Sequence, residues 1–139
     1  MSIDRGLLRI GFVVFLLSLL VGLAIPFFLN PRMALAAHVT GLMLAVFLIA
    51  LSVVWDALGL APGRAKLVRG LYVYGTFASL TAGVLAALWG TSKITPIGGA
   101  GFHASATREL VVQAILVSLG LALLAATVLV VLSLYRRDR

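Results

Sequence analysis

Few side chains in this sequence can bind a metal or move a proton: two histidines, four carboxylates and no cysteine. The missing cysteines exclude a disulfide scaffold, a thiolate zinc site, a Cys-ligated iron–sulfur cluster and a thiol nucleophile. Asp4, Asp56, Glu109 and Asp138 are scattered, so no acid/base carboxylate pair is apparent. Gly98-Gly99-Ala100-Gly101 lacks a following lysine and a preceding strand, which removes a phosphate-binding loop. Nothing marks a serine–histidine pair. His38 stands apart, as the only ionisable residue well clear of the end charges of a long apolar run. Burying such a group unpaired is expensive, so it is a functional hypothesis by default.

His38 lies about one turn into its run, and Trp55 is 17 positions later, roughly 26 Å at ~1.5 Å per residue. With Trp55 at one membrane interface, His38 sits just inside the opposite leaflet. Ala34, Gly41, Ala45 and Ser52 share its helical face. Two readings stay open. Small residues can leave a flat slot for a planar macrocycle whose metal the imidazole ligates. They can equally let another helix pack closely, with His38 hydrogen-bonding to it.

Other polar positions are fewer and weaker. Ala78, Ala82, Ala86 and Gly90 recur every four residues beside Ser79, Gly83 and Ala87, a face suited to close helix packing. Tyr74, Thr76, Ser79 and Thr81 give the same segment a polar edge. Gln113, Ser118 and Thr127 are polar residues within the last apolar run, with Gln113 read as interhelical glue. His103, Arg108 and Glu109 lie at a mouth near the level of His38; they read as loop charges, or for Glu109 as a helix N-terminal carboxylate.

The elements that must position these residues follow from composition. The chain has 139 residues, 63% hydrophobic and 11% charged, with a mean hydropathy of +1.19. A soluble domain is far more polar, and the length suits one domain. Four stretches are long enough to cross a bilayer: about 7–29, 34–58, 67–89 and 110–135. The first apolar run is too long for a cleaved signal peptide and no small-residue cleavage site follows, so it stays as a helix. The expected architecture is an all-α, integral-membrane four-helix bundle.

The net charge of +7 is a topology signal rather than a sign of nucleic acid. Arg5, Arg9, Arg64, Lys66, Arg69, Arg136, Arg137 and Arg139 flank one side, against Arg32, Lys93 and Arg108 on the other. This asymmetry places both termini in the cytoplasm, with Trp55, Tyr72 and Tyr135 as an inner aromatic belt and Trp89 at the outer side. Connections are short except for Gly90 to Thr107, which reads as a lid or pocket wall. No carboxylate lies mid-span, which argues against a proton-coupled transporter.

Taken together, Asn30-Pro31-Arg32-Met33, Ala37-His38, Gly41, Phe47-Leu48-Ile49-Ala50-Leu51 and Trp55 resemble the bacterial hydroxylaminobenzene mutases. Tyr74-Gly75-Thr76-Phe77-Ala78, Leu85-Ala86-Ala87, Trp89-Gly90, Pro96-Ile97, the glycines with His103, Glu109, and the opening Met1-Ser2-Ile3-Asp4-Arg5 extend the likeness over nearly the whole chain. Those mutases in turn resemble the styrene oxide isomerases, small four-helix membrane proteins that form trimers and hold ferric haem b through an axial histidine.

The resemblance implies that His38 is the iron ligand, with Gly41 and Ala45 against the haem and Tyr74, Ser79 and His103 as pocket residues. It implies an isomerisation without net redox, in which ferric iron acts as a Lewis acid on an arylhydroxylamine or an epoxide. The expected partners are a small hydrophobic aromatic substrate, membrane lipid and two further copies of the chain, in a bacterial inner membrane. Met33 and Met43 are the only conceivable soft second axial ligands. The family pattern has an acidic residue two positions after the histidine, where this chain has Thr40, and asparagines where it has Leu44 and Ser79. Leu44 can orient neither a substrate nor a bound oxygen, so haem binding follows more directly than mutase activity. The rivals are epoxide-to-aldehyde isomerisation, a non-catalytic haem protein, and a membrane protein in which His38 is packing glue.

Overall fold

The computed structural model describes residues 3–137, with side chains through Tyr135. Met1, Ser2, Asp138, Arg139 and the side chains of Arg136 and Arg137, used above for charge and resemblance, lie outside the described residues. Four helices follow in order: α1 (Arg5–Ala24), α2 (Pro31–Val54), α3 (Pro62–Trp89) and α4 (Ala106–Arg137). Single 3₁₀ turns at Ile25–Phe27 and Trp55–Leu58 extend α1 and α2. All four helices are long and apolar enough to cross a membrane, and the described residues contain no strand.

Local chemistry sets the helix ends. Asp4 caps α1 by accepting from the Gly6 and Leu7 amides, each at 2.9 Å. Asn30 caps α2 by accepting from the Met33 amide at 3.1 Å, with Pro31 pre-set for the first helical position. Pro62 opens α3 in the same way, and Gly90, at φ 66°, closes it with its N–H on the Ala86 carbonyl. Pro26 converts the end of the first apolar run into a 3₁₀ turn, so α1 stops at Ala24 rather than continuing to Leu29.

The helices run up and down, each packed on the next in sequence. Near the chain termini, Leu7, Leu48, Val68, Tyr72 and Ala126 bring all four helices into one core. The arrangement is more open than a closed bundle: α1 meets α3 lightly, and α4 runs alongside no helix but α3 among the described residues. Along much of α2 small residues point inward and large ones outward, although Met33, Leu48 and Leu51 are buried as well. On α2, Ala34, Ala37, Gly41 and Ala45 are buried while Leu35, Val39, Met43 and Val46 are exposed. That inverts the pattern of a soluble helix and suits a lipid surround, where packing rather than water drives helices together.

Tyr72 corrects the expected aromatic belt. It is buried, its hydroxyl 3.2 Å from Thr127 Oγ1 and its ring edge-on to Phe47 at 5.0 Å. Its hydroxyl and ring are thus taken up by protein contacts rather than presented at the bundle surface. Trp89 stands at the end of α3, with the Arg108 guanidinium over its ring.

Candidate functional site

His38 points toward α1. Its Nδ1 lies 2.7 Å from the Ser18 carbonyl oxygen. A carbonyl only accepts, so Nδ1 carries the proton and donates it, and Nε2 holds the free lone pair. Nε2 has no protein partner among the described residues and is not one of the sealed polar atoms. The imidazole is thus held by one nitrogen and presents the other.

The small residues around His38 bring α1 close enough for that bond. A Cβ on Gly22 would stand 2.6 Å from both Cε1 and Nδ1 of the ring. Gly41 is buried with the Ser18 hydroxyl packed directly over it, and that hydroxyl donates to the Val14 carbonyl at 2.8 Å. One turn further, Gly11 packs against the Ala45 carbonyl, and Ala45 is fully buried. The flat slot expected beside Gly41 and Ala45 is therefore filled by α1, and neither residue offers a surface to a macrocycle. By helical spacing Leu35 and Leu42 are the neighbours of His38 one turn away on α2, on the side opposite Ala34 and Gly41.

The other candidates occupy different interfaces. Tyr74 faces α4, its hydroxyl 2.6 Å from Ser118 Oγ. Ser79 lines a cleft of about 200 Å³ between α2 and α3, together with Thr40 and Gly83. Thr40 and Ala36 are two positions on either side of His38, about 200° around the helix, so this cleft opens on the opposite face of α2. His103 is exposed in the loop between α3 and α4. One chain does not gather His38, Tyr74, Ser79 and His103 into a single site. A larger groove of about 430 Å³ between α1 and α3 is lined by Leu17, Leu20, Phe28, Leu80 and Leu85, with Thr81 its one polar residue.

The 90–105 loop is fastened at three points. Asn30 is fully buried; its N–H donates to the Ala87 carbonyl at 3.0 Å and its Nδ2 to the Gly98 carbonyl at 2.8 Å. Arg32 bonds the Ala100 carbonyl. Of the two readings of Glu109, the helix N-terminal carboxylate holds, since it stands in the first turn of α4, and the solvated loop charge does not. Only 3% exposed, it accepts from the Ser92 and Lys93 amides at 2.9 and 3.1 Å, continuing the cap that Gly90 begins. Ser18, Gly22 and Thr95 were not singled out by sequence. The Gly11, Ser18 and Gly22 spacing puts three small residues on one face of α1, which is the signal that could have found the first two.

With this geometry in hand, the chain can be placed among known proteins. A family model described as styrene oxide isomerase matches residues 3–135. The chain is 38% identical over 126 residues to hydroxylaminobenzene mutase HabB of Ectopseudomonas oleovorans, covering 90% of this chain and 77% of that protein. It is 35% identical over 127 residues to hydroxylaminobenzene mutase HabA of the same organism, covering 91% and 94%. No solved structure matches the chain.

Proposed function

The chain belongs to the styrene oxide isomerase family and is an isomerase; from that premise we propose that it works in a bacterial inner membrane with haem b held by His38 Nε2, rearranging an arylhydroxylamine to a 2-aminophenol. The observation that carries the cofactor reading is the His38–Ser18 hydrogen bond. Metal-binding histidines donate their second ring N–H to a carbonyl or carboxylate, which fixes the tautomer and raises ligand basicity. Glue between α1 and α2 would need only the bond already made, and gains nothing from a bare Nε2 in apolar surroundings. The donor set therefore fits a group that asks for one neutral imidazole.

When bound, ferric haem supplies a Lewis acid for the oxygen of the substrate's N-hydroxyl group. Ser18 and Gly22 act through His38, the first orienting the ring and the second leaving space for it. The leucines one turn away on either side keep water from the ligand, as an electron-poor rearranging skeleton requires. Identity to two hydroxylaminobenzene mutases favours the arylhydroxylamine, and the family model favours a second reading, epoxide-to-aldehyde isomerisation. Both substrates are small, apolar and aromatic. The proposed assembly is a homotrimer with both termini cytoplasmic.

The absorption spectrum of detergent-purified protein tests the ligand. A Soret band is expected in the wild type and is expected to vanish in His38→Ala; a band that survives unchanged assigns the iron elsewhere. Turnover of hydroxylaminobenzene and of styrene oxide, each without external reductant, then decides between the two reactions.

A further inference from the structure

We propose that the outward face of α1 holds one anionic phospholipid, its phosphate between Arg5 and Arg9 and an acyl chain along Phe12, Leu16, Leu20 and Leu23. Arg5 and Arg9 are exposed and lie one helical turn apart, so their side chains lean over the same patch of surface. That patch is turned away from the bundle. Leu7 and Gly11, two positions on either side of Arg9 and about 200° around the helix, are the buried ones.

Arg9 is the observation that asks for an anion. It stands inside a membrane-spanning helix, where ionisable residues nearly always face the bundle interior and pair with one another. Arg9 faces outward instead. Neither it nor Arg5 has a protein partner among the described residues. By contrast, Arg69 pairs with Asp4, Arg32 bonds the Ala100 carbonyl and Arg108 covers the Trp89 ring. A second copy of the chain is the rival occupant, and among the described residues it has no spare carboxylate to offer. Asp4 and Glu109 are engaged, and Asp56 is not free. A lipid phosphate, in contrast, matches the guanidinium fork in two-point contact. The stripe beneath the pair suits the rest of the same molecule. Phe12, Leu16, Leu20 and Leu23 continue the spacing of the arginines, and each is more than half exposed. Arg9 to Leu20 is roughly 16 Å at ~1.5 Å per residue, about one leaflet of a ~30 Å hydrocarbon core.

Native mass spectrometry of the full-length protein in detergent tests this, with dioleoyl phosphatidylglycerol as probe and dioleoyl phosphatidylcholine as its zwitterionic counterpart. Phosphatidylglycerol is expected to bind saturably and at least tenfold tighter than phosphatidylcholine. Arg5→Gln and Arg9→Gln should each weaken it about fivefold. Arg64→Gln, which removes an exposed charge at the same end but on α3, should stay within twofold. Glycerol 3-phosphate, which lacks the chains, should not displace the lipid. The proposal is overturned by equal binding of the two lipids, or by Arg5→Gln and Arg9→Gln both titrating like the wild type. Equal loss in Arg64→Gln also overturns it, by showing diffuse attraction, as does displacement by glycerol 3-phosphate, which would mark a free-phosphate site. In a chain without cysteine, Phe12→Cys should stay uncrosslinked when membranes are oxidised; disulfide-linked pairs would assign the face to a second copy and overturn the lipid.

Discussion

A methyl group on Gly22 would stand 2.6 Å from two atoms of the His38 ring, closer than carbon atoms approach without something moving. The ring is the movable partner, because the α1 backbone is held by Gly11 and Ser18 against α2. Gly22→Ala should therefore push Nδ1 off the Ser18 carbonyl and cost about 1–3 kcal/mol of stability. If His38 holds iron, losing an outer-shell bond of this kind lowers metal affinity by roughly 10–100-fold. Haem occupancy, read as Soret absorbance against protein absorbance, should fall accordingly. Gly120→Ala is the control, since nothing lies within 4 Å of its added carbon; it should leave the spectrum unchanged. An unchanged spectrum in Gly22→Ala would mean that the Ser18 bond does not tune the ligand. The sequence exposes His38 because an imidazole in a long apolar run is costly to bury unpaired, while ligand and interhelical glue stay open as its explanations. Its partner is hidden for a physical reason: a backbone carbonyl 20 residues away has no side-chain signature. Glu109 is readable as a carboxylate in the first turn of α4, but its partners are hidden for a related reason, since the amides it satisfies belong to Ser92 and Lys93 across a loop.

At the scale of elements, Asp4 joins three helices at once. Its Oδ1 caps α1, its Oδ2 lies 2.7 Å from Arg69 Nη1 on α3, and its N–H donates to the Ser52 carbonyl of α2 at 2.9 Å. The cap contributes about 1 kcal/mol. The Arg69 side chain is 38% exposed, so the ion pair is screened and adds at most roughly 1 kcal/mol. Thermal unfolding in detergent should rank wild type above Asp4→Asn above Asp4→Ala. The total loss in the alanine variant should be about 1–2 kcal/mol. Added salt should narrow the gap between wild type and Asp4→Asn, because only the charge differs. Equal loss in both variants would show that the ion pair, not the cap, holds the end of α1. Helix ends of this kind are readable in advance, because Asp, Asn, Pro and Gly act through the backbone within a few residues. The packed face of α2 and of α3 is readable from small residues, since Ala34, Gly41 and Ala45 and Ala78, Ala82 and Ala86 are all buried, but which helix each face meets is not. Leu35 and Ala34 are both apolar, and only packing decides that the smaller is buried and the larger exposed.

For the whole molecule, the open row of helices has two chemically different ends. One carries Arg5, Arg9, Arg64, Lys66 and Arg69, with three further arginines at the C-terminus; the other carries Arg32, Lys93 and Arg108. Hydropathy supplies the number of crossings, since a helix of about 20 apolar residues spans the hydrocarbon whatever it packs against. It cannot supply their lateral order, because lipid and protein interior are equally apolar. Direction rests on charge: retaining basic residues on the cytoplasmic side fixes short loops during insertion, and the loops here are short. Both termini and the α2–α3 turn should therefore be cytoplasmic, and the 90–105 loop should face outward. A chain without cysteine lets single introduced thiols report this cleanly. Arg64 and Lys93 are exposed at opposite ends. In intact cells, Lys93→Cys should react with a membrane-impermeant maleimide, whereas Arg64→Cys should react only after permeabilisation. The reverse pattern would invert the protein and carry the α2–α3 cleft, which lies under the 90–105 loop, to the cytoplasmic leaflet.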